Sequence, residues 1–244
     1  MKILKFNLLT IALAFIAVAA VHAQTVDEII AKTVDALGGK EKINSITSVY
    51  MENAVEVMGN EAPSTTVILN GKGAKTKSDF NGQTMVQCYT DKGGWMINPM
   101  AGSNDAAAMP DDQYKAGKSQ IFVGDPFMDY AAKGNKVELL GKDKLQDADV
   151  YKIKVTTADN MSTTYFIDAN TYYVVQAITS VEMMGQKMEV TSKLSDYEKT
   201  DFGYVLPKTN SVSYGEQFSL VIKLKKVAFN QPVDPKIFEL GNMN

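Results

Sequence analysis

Phe218-Ser219-Leu220-Val221-Ile222-Lys223-Leu224-Lys225-Lys226-Val227-Ala228 is the stretch on which the fold turns. Phe218, Leu220, Ile222 and Leu224 fall on one side of a period-two pattern. Ser219, Lys223 and Lys225 fall on the other. Side chains of a strand alternate between the two faces of a sheet, so this segment belongs to a sheet with one apolar and one wet side. The same period recurs upstream. Val49, Met51, Val55 and Val57 alternate with Tyr50, Glu52, Ala54 and Glu56. Asn81-Gly82 is the clearest hairpin signal, because both positions of a type I′ turn need positive φ. Further strand segments run through 64–70, 75–80, 83–90, 95–98, 136–140, 150–157, 161–167, 172–181, 186–194 and 204–214, with Met184-Gly185-Gln186 among the turns. Sequential antiparallel strands in this number predict a mainly β, α+β protein: an unclosed antiparallel barrel of about ten or eleven strands.

Two regions break the pattern. Thr25 followed by Glu28 reads as a capping box, and Val26, Ile29, Ile30, Val34 and Leu37 follow at helical spacing. Gly38-Gly39 stops that helix. Residues 101–134 are rich in Ala, Met, Asp and Gly without strict alternation. They are expected to form short helices over the sheet, with Pro110 at a first helical position and a second piece starting at Asp125-Pro126.

The N-terminus carries Lys2 and Lys5, an apolar run from Leu8 to Val21, and the small-x-small sequence Val21-His22-Ala23. This is the pattern of a secretory signal peptide over residues 1–23, and it places the remainder, 24–244, in the periplasm as a single domain. A membrane anchor would need a longer run and a stop-transfer flank. Gln24 is not a cysteine, so no lipid anchor is expected at the cleavage site.

Composition removes several chemistries. The one histidine, His22, lies in the leader, and every basic residue is lysine. Ser-His-Asp and Cys-His catalysis therefore have no base. Cys88 is the only cysteine, so a structural zinc site and an internal disulfide are both excluded. Cys88 reads as a small buried side chain. The leader holds two of the 25 basic residues and none of the 28 acidic ones, leaving the rest acidic and unsuited to nucleic acid. Asp111-Asp112 and Asp147/Asp149 are the candidate acidic pairs for hydrolysis, and solvated loop charges explain them as well. No enzyme activity, cofactor or metal is expected.

The chain has 13 methionines, all but Met1 beyond the leader. Flexible, polarizable side chains suit a surface that accepts variable apolar shapes. Strand alternation makes Met51, Val55, Trp95, Ile97, Tyr165, Ile167, Phe218, Leu220 and Ile222 candidate cavity-lining residues, joined by Phe127 and Met128 from the helical insert. Trp95 either forms the cavity wall or anchors the core. Two lysine clusters, Lys72/Lys75/Lys77 and Lys223/Lys225/Lys226, either attract anionic headgroups or protect edge strands from aggregation.

Several segments together resemble the LolA/LolB/LppX superfamily of bacterial lipid and lipoprotein carriers. They are the amphipathic first helix, Gly94-Trp95-Met96-Ile97-Asn98-Pro99, Tyr165-Phe166-Ile167-Asp168, and Ser195-Asp196-Tyr197 leading to Tyr204-Val205-Leu206-Pro207. The close from Asn230 through Pro232, Val233, Asp234 and Pro235 to Phe238 completes the set. The resemblance implies lid helices over a hydrophobic cavity and a soluble, monomeric LolA-like carrier. Such a carrier takes lipid or lipoprotein acyl chains from an inner-membrane donor complex to an outer-membrane acceptor. The alternative it leaves is a LolA-like sensor or interaction module of the envelope without transport. The chain departs from LolA proper in having no arginine, the residue that holds the lid there.

Overall fold

A computed structural model describes residues 24–124, 126–183, 186–216 and 218–243. The leader read over 1–23 and the Met184-Gly185 turn lie outside the described residues.

Two helices open the fold, α1 (Val26–Ala36) and α2 (Lys40–Asn44). The capping box on α1 is present: Glu28 N donates to Thr25 Oγ1 at 3.2 Å, and Thr25 N donates to Glu28 Oε2 at 2.9 Å. Gly38 takes φ +124°, and a Cβ there would meet Gly203 O at 2.8 Å, so only glycine fits the chain reversal.

Thirteen strands among the described residues then form one sheet. They are β1 (Ser48–Val57), β2 (Asn60–Leu69), β3 (Gly73–Phe80), β4 (Gln83–Thr90), β5 (Gly94–Asn98), β6 (Ser103–Ala108), β7 (Lys136–Leu145), β8 (Ala148–Thr156), β9 (Ser162–Asp168), β10 (Val174–Met183), β11 (Gln186–Lys199), β12 (Val205–Tyr214) and β13 (Phe218–Phe229). Every strand pairs antiparallel with its sequence neighbour, except that β6 does not meet β7. Instead β1 pairs with β13. The sheet is therefore a meander joined through its chain ends and left open at one seam. The segment 109–135 connects the two strands flanking that seam. It contains α3 (Asp111–Gly117) and a 3-10 turn at Lys118–Ile121, followed by turns from Pro126 to Gly134.

The expected unclosed barrel is thus observed, with more strands than alternation suggested. β6 forms from Ser-Asn-Asp-Ala-Ala-Ala, which carries no apolar alternation because it is an edge strand. The hairpin at Asn81 (φ 50°) and Gly82 (φ 78°) is as expected. The first hairpin turns on Met58 (φ 50°) and Gly59 (φ 79°), so β2 begins at Asn60 rather than 64. Pro110 caps α3 from outside instead of opening it.

Register assigns the two faces. Val49 stands opposite Ile68, Ile68 opposite Ala74, and Ala74 opposite Tyr89. In the other direction Val55 stands opposite Ile222, Ile222 opposite Asn210, and Asn210 opposite Leu194. This side is the concave face. α1, α2, Phe127 and Met128 pack into it against Tyr151, Ile153, Val155 and Ile167 of β8 and β9. The segment with α3 packs into it near β3–β5, where Met109 and Ile121 cluster with Ala74 and Tyr89. The opposite face of β4 and β5 carries Val86, Cys88, Trp95 and Ile97, and the C-terminal tail covers it with Phe238.

Candidate functional site: the concave face and its lid

Between the two packed ends lies the middle of the concave face, on β1, β2 and β10–β13. The residues there are Met51, Val55 and Val57, with Val181, Met188 and Val190, and Val212, Leu220 and Ile222. Only Val212 among them is buried. Phe218 is 40% exposed and stacks on Tyr214 with centroids 4.4 Å apart. No Asp, Glu or Lys stands at a concave position of these strands from Met51 to Val57, Ala62 to Ile68, Ala177 to Val181, Met188 to Leu194, Asn210 to Tyr214, or Phe218 to Leu224. Charges occupy the other parity: Lys223 pairs with Glu56 at 3.2 Å and Lys226 with Glu52 at 3.2 Å. An apolar surface of this extent left partly open to water is the signature of a binding surface rather than a core.

α3 lies across this space. Its Tyr114 hydroxyl donates to Thr90 O at 2.9 Å on one wall, and the helix also touches β10 on the other. Gly117 is buried with its Cα against the Tyr89 ring, and a Cβ there would come within 2.3 Å of that ring. Burial, with Tyr214 beside it, pushes the Tyr89 hydroxyl up to about 12. Lys118 closes the arrangement through an ion pair with Asp159 in the β8–β9 turn. The chain then descends to the β2–β3 turn, where Gly71 N donates to Ile121 O at 2.8 Å and Val123 N to Asn70 Oδ1 at 3.0 Å.

The eleven residues read from alternation divide unequally. Met51, Val55, Tyr165, Ile167, Phe218, Leu220 and Ile222 stand on the concave side. Phe127 and Met128 plug it at the α1 end, with Phe127 edge-on to Tyr165 at 5.2 Å. Trp95 and Ile97 do not join them. Cys88 pairs with Trp95 and Val86 with Ile97, and all four face the C-terminal tail. Trp95 Nε1 donates to Phe238 O at 2.9 Å. Of its two readings, the core anchor is the one observed. A single position of parity separates it from Met96, which does face the lid.

Reasoning from sequence missed Tyr89, Tyr114 and Gly117. The Gly closing the polar segment Asp111–Gly117, on the side of Tyr114, was the available signal, since a close approach of another group demands it.

The lysine clusters correct a second expectation. β3 and β13 are interior strands, so their lysines guard no edge; the edges are β6 and β7. Lys75 is buried under the tail, and its Nζ donates to Asn242 O at 2.7 Å and lies 5.9 Å from the Trp95 ring centroid. Burial lowers its pKa. Cys88 is buried beside it, with its thiol pushed up to about 12 by burial. At that value it is protonated at neutral pH and is a poor nucleophile.

The acidic pairs are surface groups. Asp111 bonds Lys115 at 2.6 Å and Asp149 bonds Lys144 at 3.1 Å, each exposed. No group of three or more metal-ligating side chains occurs among the described residues. A depression of about 510 Å³ beside Asp196, Glu198, Lys208, Lys223 and Lys225 is open and charged, and so unsuited to hydrocarbon. No helix among the described residues is long and apolar enough to cross a membrane.

No protein-family model matches the sequence, and no curated protein matches it. Solved structures do match in fold. A LolA superfamily protein from Nitrosomonas europaea superposes with TM-score 0.59 at 10% identity, over 88% of this chain and 98% of that one. A DUF1329 family protein from Desulfovibrio piger gives TM-score 0.58 at 14% identity, over 88% and 97%. A putative outer membrane lipoprotein-sorting protein domain from Vibrio parahaemolyticus gives 0.57 at 11% identity, over 87% and 95%. The chain shares the fold of these three structures.

Proposed function

We propose that this chain is a soluble periplasmic carrier. Acyl chains of a lipid or lipoprotein lie between the concave face and α3, and the loaded protein moves them towards the outer membrane. The observation that carries the reading is the charge-free, half-exposed apolar lining of β1 and β10–β13 beneath a helix that spans it. The leader at residues 1–23 supplies the compartment, and the likeness to LolA superfamily folds supports the cargo class. An inner-membrane donor and an outer-membrane acceptor are the partners such a path requires.

Energetics fit a carrier. Each methylene moved out of water contributes ~0.8 kcal/mol, so a chain of about a dozen carbons gives roughly 10 kcal/mol gross. Only the surplus over the cost of displacing the lid appears as affinity. That cost is held in a few contacts: the Tyr114–Thr90 hydrogen bond, the Tyr89–Gly117 packing and one half-buried ion pair. A closure built from few contacts opens without unfolding the sheet, which is what release needs.

Native mass spectrometry of the mature protein from a periplasmic extract, followed by lipid extraction, tests this. Bound phospholipid, fatty acid or lipoprotein is the expected result. A ligand-free mass together with no uptake of a fluorescent acyl probe would remove the reading.

A further inference from the structure

The middle of the concave face is free of charge without being uniformly apolar. On β2 and β3 it carries paired hydroxyls: Thr66 and Thr76 are 3.0 Å apart, and Ser78 donates to Ser64 at 2.9 Å. Asn53 stands opposite Ser64 on β1. Across β13 the next polar group is Asn210, set in a row between Ile222 and Leu194. Its Oδ1 is shielded from solvent and has no hydrogen-bond partner. A buried carbonyl oxygen left unpaired is costly, and a carboxamide both accepts and donates. Such a group persists at little benefit to the empty protein and is satisfied when a ligand brings a donor to it.

The charge pattern restricts that ligand further. An acyl chain ending in a carboxylate or phosphate would bring a negative charge onto a surface whose nearest lysine of the same parity, Lys208, is already paired with Glu198 at 3.3 Å, so its desolvation goes uncompensated. The lysines of the lid are already engaged, Lys115 with Asp111 and Lys118 with Asp159.

We propose that Asn210, with Asn53 across β13, forms a polar subsite inside the acyl groove, and that the preferred ligand is an acyl lipid whose head is uncharged and carries hydroxyl or amide donors. This inference rests on the carrier reading and names its ligand class. The acyl chain lies along Val55, Ile222 and Leu220. The head donates to the Asn210 carbonyl, and Asn53, across β13, is the next polar group it meets.

Calorimetric titration of the mature protein with monolauroylglycerol and with laurate, at pH 8 and below their micellar concentrations, tests it. Monolauroylglycerol is expected to bind at least about 10-fold more tightly, since one unpaired buried polar group or charge costs that factor or more. Asn210→Leu removes the unpaired group, so it is expected to melt no lower than the parent. It should weaken monolauroylglycerol by about 10-fold while changing laurate less than about 2-fold. Asn53→Val is the second variant and should lower the same ratio. Laurate binding as tightly as monolauroylglycerol, or a ratio unmoved by both variants, overturns the subsite and leaves the carrier reading standing. Failure of both ligands to bind overturns the two together.

Discussion

Two apolar surfaces on opposite faces of one sheet have been treated differently by the chain. The outer surface of β4 and β5, with Val86, Cys88, Trp95 and Ile97, is sealed by the C-terminal tail. Phe238 lies so close over β3 that a Cβ on Gly73 would be 2.7 Å from its ring. The concave surface of β1, β12 and β13 has similar side chains and no tail of its own. Its cover is α3, which reaches from β4 to β10, is held by Tyr114 at its middle and Lys118 after its end, and leaves Phe218 40% exposed. One surface is a core finished from within the chain, and the other is left partly open. Apolar content does not distinguish them; the presence of a dedicated covering segment does.

Substitutions at matched positions should separate the two. Phe238→Ala opens the sealed side and is expected to cost ~3–5 kcal/mol, read by urea unfolding together with a red shift of Trp95 emission. Phe218→Ala on the open side should cost about 1 kcal/mol or less, yet weaken uptake of an apolar probe. Equal losses of stability at the two sites would break the comparison. Gly117→Ala forces a methyl into the Tyr89 ring and is expected to cost ~1–3 kcal/mol, with the lid displaced and cleavage by protease within 109–123 accelerated. Unchanged proteolysis would mean that the lid is not held there.

Alkali should act on both sides. A thiol or phenol whose pKa is raised by folding contributes stability that is full below its unfolded pKa and lost as pH rises towards the folded one. Cys88 moves from 9.0 to about 12, and Tyr89 and Tyr204 from 10.0 to about 12. Stability should therefore decline from about pH 9 in the parent. In Cys88→Val the decline should begin about one pH unit later, with the tyrosines. Lys75 has the opposite sign, since its lowered pKa makes the unfolded chain the better proton binder below 10.5. A melting series across pH 8 to 12 on both proteins decides whether the cysteine leads. Smaller still is Lys118→Ala, expected to cost about 1 kcal/mol and to lose part of that effect in high salt, as a half-buried ion pair should. Smallest is Trp95 emission on ligand binding, expected not to change because the ring faces the tail; a large shift would place the ligand on the wrong face.

Much of this was legible from residues. The period-two runs give the strands, Asn81-Gly82 the hairpin, and Thr25 with Glu28 the helix start, because each depends on local physics. Seven of the nine strand residues picked for the cavity share the concave face for the same reason. Trp95 and Ile97 failed because alternation fixes which residues share a face within a strand and not which face is covered. That was settled by Phe238, far along the chain, donating no pattern of its own to β5. β6 was missed since an edge strand of Ser, Asn, Asp and Ala buries little. Asn210 gave no signal, because nothing in the sequence marks an amide as lacking a partner.

The central claim is that the concave face, and not its reverse, takes hydrocarbon. Val221 and Ile222 are consecutive on β13 and face opposite ways, each partly buried. Titration of N-phenyl-1-naphthylamine, a neutral probe that fluoresces in apolar sites, into the parent, Val221→Glu and Ile222→Glu tests the claim at a spacing of one residue. The expected result is uptake by the parent and by Val221→Glu, and a loss of about 10-fold or more in Ile222→Glu. Uptake retained in Ile222→Glu and lost in Val221→Glu would contradict it.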